Sequence, residues 1–160
     1  MLLKEEELRR FGETLGRQVH GPVFLGLRGE LGAGKSVLAR AVARGAGVVG
    51  NLPSPTFNLV FRYRGRGGVT VVHMDLYRIS DPEEVWELGW EELGRPGEIV
   101  LVEWPERAEP HLPKDRWDVV LSTVRGEPGL RRVELGRRGH PPELPSFPMT
   151  LEPPGERGSP

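Results

Sequence analysis

One residue type and several patterns are missing from this 160-residue sequence, and each absence excludes a class of protein. Cysteine does not occur, which excludes disulfide bonds, thiolate metal sites and cysteine nucleophiles. No apolar run is long enough to cross a membrane. The N-terminal residues Lys4 to Glu7 are charged, unlike the start of a signal peptide. We therefore expect a cytoplasmic protein with no membrane attachment.

A large charge of one sign is missing as well. The net charge is −1, whereas a protein that grips nucleic acid by itself usually carries a basic field. The four histidines form no cluster with ligand spacing, which argues against a zinc site. The length predicts one domain, and a hydrophobic content of 37% is sufficient for a core.

One motif stands out against these absences. Residues 29–36 read GELGAGKS, which fits the phosphate-binding pattern G-x-x-x-x-G-K-[ST]. The apolar residues 22–27 before it predict a buried strand, and residues 37–44 after it predict a helix that Gly45 ends. A glycine turn before an ordinary helix is the alternative, but strand, glycine loop and helix together are the context that phosphate binding requires.

The residue types in this loop suit an anion. Gly32 and Gly34 allow positive φ and let the backbone approach a phosphate without a Cβ in the way. Successive amides then point into one concavity at the positive end of the helix dipole. Lys35 would bring a charge to the β- and γ-phosphates, and the Ser36 hydroxyl is a ligand for Mg²⁺.

The remaining pattern predicts an α/β fold with a mixed central β-sheet. An amphipathic helix is predicted over residues 2–19 and another over 83–93, each with apolar residues three and four apart. Strands are predicted at 57–64, 69–74, 98–102, 117–124 and 130–135. The first two form an antiparallel hairpin through the glycine-rich turn 65–68, so the sheet cannot be purely parallel. We assign residues 1–136 to the domain and 137–160, which hold seven of the 16 prolines, to an extended tail.

Two acids end apolar strands and are candidates for the metal and water chemistry of a nucleotide site. Asp75 follows one predicted strand, and Glu103 follows another in the form of a Walker B strand. His73 lies two residues before Asp75, so both side chains share one face of the strand. That histidine either orients Asp75 or meets a phosphate, or it is simply satisfied within the core.

Residues around these acids are candidates for sensing the nucleotide. Thr56 follows Pro53 and Pro55, which bracket a serine and stiffen an extended segment, and it is either a switch residue that senses the γ-phosphate or a turn hydroxyl. Trp104 follows Glu103 directly, so on an extended backbone it points to the opposite face, as a core residue, an aromatic lid or a partner anchor. Tyr77 and Arg78 follow Asp75 and face either the nucleotide or a partner.

Four motifs in this order resemble the TsaE family, the small bacterial ATPases required for tRNA threonylcarbamoyladenosine synthesis. They are the loop at 29–36, SPTF at 54–57, HMDLYR at 73–78 and EWPE at 103–106, and the match covers roughly residues 8–135. Ser36 stands where the family more often has threonine, and Met74 replaces a usual aromatic residue.

This resemblance implies a P-loop NTPase-like three-layer sandwich that uses ATP and Mg²⁺. It implies slow hydrolysis in isolation and docking on the tRNA threonylcarbamoyl transferase and its sugar-kinase-fold paralogue, with tRNA met through that complex. The catalytic residues implied are Lys35, Asp75, Glu103 and Trp104, and the implied metal ligands are Ser36 and Glu103. The implied nucleotide contacts are Gly29, Gly32, Ala33, Gly34, Lys35, Ser36, Val37, Thr56, Asp75 and Arg132, with Arg131 as the alternative to Arg132.

Two other functions fit the same residues. A small-molecule kinase would share the loop, although no lid insertion is apparent in the sequence. A nucleotide-gated binding module would need ATP binding but not hydrolysis.

Overall fold

Seven strands and two α-helices form the domain, seen in a computed structural model that describes residues 1–53 and 59–145. The strands are β1 (Leu2–Lys4), β2 (Val23–Arg28), β3 (Val60–Arg64), β4 (Thr70–Asp75), β5 (Glu98–Glu103), β6 (Arg116–Val124) and β7 (Glu127–Arg138). The helices are α1 (Glu5–Gln18) and α2 (Lys35–Gly45). Short 3₁₀ helices cover Pro82–Leu88, Trp90–Glu92 and Pro105–His111. The predicted switch residue Thr56 lies outside the described residues.

The strands form one mixed sheet in the order β1-β7-β6-β2-β5-β4-β3. The four central strands, β6, β2, β5 and β4, run parallel, whereas β3, β7 and β1 pair antiparallel with their neighbours. The carboxyl ends of β2, β4 and β5 therefore meet at one edge, where parallel sheets place their ligands. The predicted mixed α/β sheet is confirmed.

Both faces of the central strands are buried, which gives three layers. Odd-numbered residues of β2 such as Leu25 and Leu27 pack under α1 and α2. Even-numbered positions of β5, such as Val100 and Val102, pack under the 3₁₀ helices with Trp90. Because side chains alternate across a strand, each near-continuous apolar run supplies both layers.

Glycines on α1 allow that helix to lie directly on α2. A Cβ at Gly16 would collide with the Val42 carbonyl oxygen of α2, and one at Gly12 would lie 2.6 Å from the Ala41 Cβ. Glycine has a low helix propensity, but α1 is continuous through both residues. They set the distance between α1 and α2, and α2 carries the phosphate loop at its N-terminus.

Local structure differs from the predictions at residues 2–4 and at residues 82–92. Residues 2–4 form an edge strand rather than the first turn of a helix, because Leu3 pairs with Arg131 far along the chain. Residues 82–92 form two 3₁₀ helices instead of one α-helix, because Gly89 takes a left-handed φ of 77° between them. Neither feature depends on local hydrophobic spacing, so the periodicity could not reveal them.

The segment after β7 lies against the domain as far as it is described. The strand itself runs to Arg138, two residues beyond the predicted domain boundary. The Trp117 indole N–H donates to the Pro142 carbonyl at 2.9 Å, and the His140 amide donates to Asp115 at 2.8 Å. None of the helices in the described part of the chain is long and apolar enough to span a membrane.

Candidate active site

The phosphate-binding motif forms a loop between β2 and α2, as its sequence predicts. Gly32 and Gly34 have φ values of 79° and 105°, which favour glycine. A Cβ at Gly32 would meet no atom within 4 Å, so its backbone faces open space. The first amides of α2 have no acceptor within the helix, and residues 34–37 line the same open space. The concavity therefore fits an anion.

Lys35 is the first residue of α2 and is only 5% exposed. Its Nζ donates to the carbonyl oxygens of Gly29 at 2.5 Å and Glu30 at 2.8 Å. Burial lowers the pKa of Lys35, although the nearby carboxylates, led by Glu103, act in the opposite direction. The ammonium group thus lies within the loop, at the place where it would contact a bound phosphate.

Glu103 connects the loop to the sheet. Its Oε1 accepts a hydrogen bond of 2.9 Å from the Ser36 hydroxyl, and its Oε2 lies 2.7 Å from His73 Nε2. Glu103 is 2% exposed and ends β5, next to the end of β2, where Leu27 is its register partner. The predicted hydroxyl and Walker B carboxylate therefore meet, and the partner of His73 is Glu103 rather than Asp75.

Asp75 lies beside Glu103 at the end of β4, because the two residues are register partners. Its Oδ1 accepts a hydrogen bond of 2.9 Å from the Tyr77 amide. Burial raises the pKa of Asp75, and the charge of Glu103 adds to that effect. Two strand-end carboxylates of different exposure therefore share one site.

Trp104 contacts the loop through Lys35 and also packs on the apolar cluster of Val100 and Val102 on the far face of the sheet. Its φ of 58° and ψ of 49° are left-handed, which is rare for a non-glycine residue. That conformation turns the indole back over the site, where Lys35 Nζ lies 4.4 Å from the ring centre. The Tyr77 ring packs on it with centres 5.1 Å apart. The backbone is therefore not extended here, and the ring combines two of the predicted positions, because it packs on the core cluster and also lies over the loop in the place of an aromatic lid.

These residues line one open pocket of about 400 Å³. It is bounded by Leu31, Gly32, Gly34, Lys35, Ser36, Val37, Asp75, Tyr77, Arg78, Glu103 and Trp104. A second, smaller pocket adjoins it between the start of α1, the loop and the start of β7. The two share Gly32, Gly34 and Val37, so the concavity has room beyond the phosphates.

The β6–β7 hairpin holds the loop from the other side. The Arg131 guanidinium donates to the carbonyl oxygens of Ala33 at 3.1 Å and Gly32 at 3.2 Å. Thr123 of β6 donates to the Glu30 carboxylate at 2.8 Å. Arg132 is exposed and points to the opposite face of β7. The structure thus places Arg131 at the loop and turns Arg132, the predicted nucleotide contact, away from it.

The oxygen atoms of the site suit a hard cation whose remaining ligands are nucleotide phosphates and water. Within residues 1–53 and 59–145, no group of three or more His, Cys, Asp or Glu side chains could hold a metal ion. Ser36 Oγ and Glu103 Oε1 are oxygen ligands, the type that Mg²⁺ prefers, and Mg²⁺ keeps several waters and phosphate oxygens. The residues present therefore fit such a site.

Comparison with known proteins agrees with this geometry. The family model described as "Threonylcarbamoyl adenosine biosynthesis protein TsaE" matches residues 2–132. The chain belongs to the TsaE family. Three relatives are each described as tRNA threonylcarbamoyladenosine biosynthesis protein TsaE.

The Rickettsia felis relative is 38% identical over 107 residues, which cover 66% of this chain and 61% of that protein. The Haemophilus influenzae relative is 37% identical and covers 66% and 67%. The Nostoc relative is 33% identical and covers 84% and 82%. This TsaE-family chain also has the fold of Bacillus subtilus YdiB, with a TM-score of 0.65, 25% identity and 87% of each chain covered.

Two contacts of the site could not be found from the sequence. The His73–Glu103 pair joins neighbouring strands that are 30 residues apart, and no local pattern encodes which strands pair. The choice of Arg131 over Arg132 follows from Leu3, which is fully buried opposite Arg131 and fixes the inward face of β7. Two consecutive arginines do not indicate which of the two side chains lies on the inward face of the strand.

Proposed function

We propose that this chain is a Mg²⁺-dependent ATPase that supports the complex making threonylcarbamoyladenosine in tRNA. The observation that carries the proposal is the hydrogen bond of 2.9 Å between Ser36 Oγ and Glu103 Oε1. It brings the hydroxyl of a phosphate loop against a strand-end carboxylate, the pair that holds Mg²⁺ in P-loop NTPases. The family membership supports the pathway.

The side chains have distinct tasks in this proposal. The loop amides from Gly32 to Val37 bind the phosphates, and Lys35 exchanges its two carbonyl partners for phosphate oxygens. Ser36 and Glu103 hold Mg²⁺, which offsets phosphate charge when bound. Glu103 also positions the attacking water, and Asp75, its register partner at the end of β4, contacts the nucleotide–metal centre.

The rim of the pocket supports partner-dependent turnover. Leu31 and Tyr77 are 69% and 43% exposed and line the same pocket, so they offer apolar surface to a partner at the rim of the site. Tyr77 packs on Trp104, and Trp104 lies over Lys35. A protein that docks here would press on the lid, and we infer that the transferase and its sugar-kinase-fold paralogue do so.

The decisive experiment measures ATP turnover by the chain alone and with both purified partner proteins and tRNA. We expect slow hydrolysis alone and stimulation by the complex. Absence of stimulation together with phosphate transfer to a metabolite would identify a kinase instead. If Glu103→Gln binds ATP without hydrolysing it and still sustains tRNA modification, the chain is a nucleotide-gated module.

Lys35→Ala tests the loop itself. We expect a loss of about 10- to 100-fold in ATP affinity, because charged hydrogen bonds to the phosphates are removed. Isothermal titration calorimetry checks this, with the exposed Lys114→Ala as the matched control. Unchanged affinity in the Lys35 variant would show that the loop does not bind the phosphates.

A further inference from the structure

His73 is a buried polar residue that has no role in the ATPase reaction as proposed above. It lies within β4 and is 2% exposed. Its register partner on β5 is Leu101, so Glu103 is its diagonal neighbour, two residues further along. Diagonal pairs of long side chains on one sheet face are within reach of each other. The register thus brings His73 Nε2 to 2.7 Å from Glu103 Oε2.

The two carboxylate oxygens of Glu103 have different partners. Oε2 faces the imidazole, and Oε1 accepts from the Ser36 hydroxyl at 2.9 Å. A carboxylate accepts hydrogen bonds, so Nε2 must carry the proton that joins the pair. With Oε2 fixed, the plane of the carboxylate and the direction of Oε1 are fixed as well.

We propose that His73 is a positioning residue that aims Glu103 Oε1 at the metal position beside Ser36. This inference rests on the proposed Mg²⁺-dependent function and deepens it. A buried carboxylate without a donor on Oε2 would reorient toward another donor, and Oε1 would turn away from Ser36. Hydrogen-bond donors to metal-binding carboxylates commonly contribute 10- to 100-fold in metal affinity.

Two amide substitutions separate positioning from simple core packing. The side-chain nitrogen of His73→Gln reaches the place of the imidazole Nε2, whereas that of His73→Asn reaches only the place of Nδ1. Both variants put a neutral amide into the same buried space. A loss of thermal stability reports on packing, including the methylene that asparagine lacks, whereas a difference in metal affinity between the variants reports on the donor at Nε2.

The experiment measures Mn²⁺ affinity by electron paramagnetic resonance on the full chain with a non-hydrolysable ATP analogue. We expect His73→Asn to weaken Mn²⁺ binding by about 10- to 100-fold and His73→Gln to stay within about threefold of the wild type. Nucleotide affinity in EDTA should be equal in all three proteins. In a Glu103→Gln background, His73→Asn should not lower the Mn²⁺ affinity further, because the carboxylate through which His73 acts is already absent.

Either of two outcomes would overturn the role of His73. In the first, His73→Asn retains wild-type Mn²⁺ affinity; in the second, His73→Gln loses as much as His73→Asn. If neither variant folds, ¹⁵N NMR of the wild-type chain determines which imidazole nitrogen of His73 carries the proton. An Nε2 without a proton would contradict the proposal. A wild-type chain that binds the analogue without any metal dependence would instead overturn the proposed function, and the inference with it.

Discussion

Asp75 shows how the position of a single residue sets its acid–base behaviour. Burial raises the pKa of this carboxyl above its ordinary value of 3.8. Its ionised form is therefore less favourable in the folded chain than in the unfolded one. The unfavourable free energy of ionising Asp75 thus falls at the proposed reaction centre, where shifted pKa values are common in enzymes.

Asp75→Asn should stabilise the protein at neutral pH. The cost of ionised Asp75 appears as the pH rises above 3.8 and is complete above the raised folded-state pKa. Asparagine avoids this cost, and its Oδ1 can still accept from the Tyr77 amide. We expect a higher free energy of unfolding for the variant at pH 8 and a smaller difference as the pH falls toward 4, measured by urea unfolding. A difference independent of pH would contradict this account.

Arg131 and Arg132 differ in side-chain direction, and only Arg131 bonds the phosphate loop. Arg131→Gln should weaken nucleotide binding by about tenfold, because the loop carbonyls lose a charged donor. Arg132→Gln is the matched control, since it removes the same charge from the opposite face. Calorimetric titration with ATP checks both. Equal losses would mean that net charge, not the contact with the loop, supports binding.

At the scale of elements, the crossing of α1 over α2 supports the loop. α2 begins within the loop at Lys35, so a shift of α2 against α1 moves the loop amides. Gly12 and Gly16 allow the close approach, and the apolar stripe of α1 fills the remaining space with Leu8, Phe11 and Leu15.

Gly16→Ala should destabilise the protein despite the higher helix propensity of alanine. The added methyl would meet α2 backbone atoms, with Ala46 N at 2.6 Å, and backbone cannot rotate away as a side chain can. We expect a loss of about 1–3 kcal/mol in the free energy of unfolding, measured in urea. Gly68→Ala, where a Cβ would meet nothing within 4 Å, should be close to neutral. A stabilised Gly16 variant would show that α1 moves freely over α2.

At the scale of the whole molecule, net charge determines how strongly the chain would attract tRNA in the proposed function. A net charge of −1 provides no general attraction to phosphates. The proposed partners would therefore have to supply most of the tRNA contact.

The chain alone should bind tRNA with a dissociation constant weaker than about 10⁻⁵ M at physiological salt. Fluorescence anisotropy with labelled tRNA checks this, and addition of both partner proteins should produce tight binding. Submicromolar affinity of the isolated chain would show that it reads tRNA directly.

The sequence alone determined the chemistry of the candidate site and the class of the fold. The loop from Gly29 to Ser36 and the acids Asp75 and Glu103 are local patterns, because each lies next to the strand or helix that presents it. The apolar runs before these acids also predicted central strands, and the mixed sheet is confirmed.

Tertiary structure decided which of these groups touch and which way they face. The pairing of β4 with β5 gave His73 its partner Glu103, and the pairing of β1 with β7 turned Arg131 toward the loop. The left-handed backbone of Trp104 brought its ring over Lys35. Each outcome depends on contacts between residues far apart in the chain or on a rare backbone conformation, and neither leaves a periodic signal in the sequence.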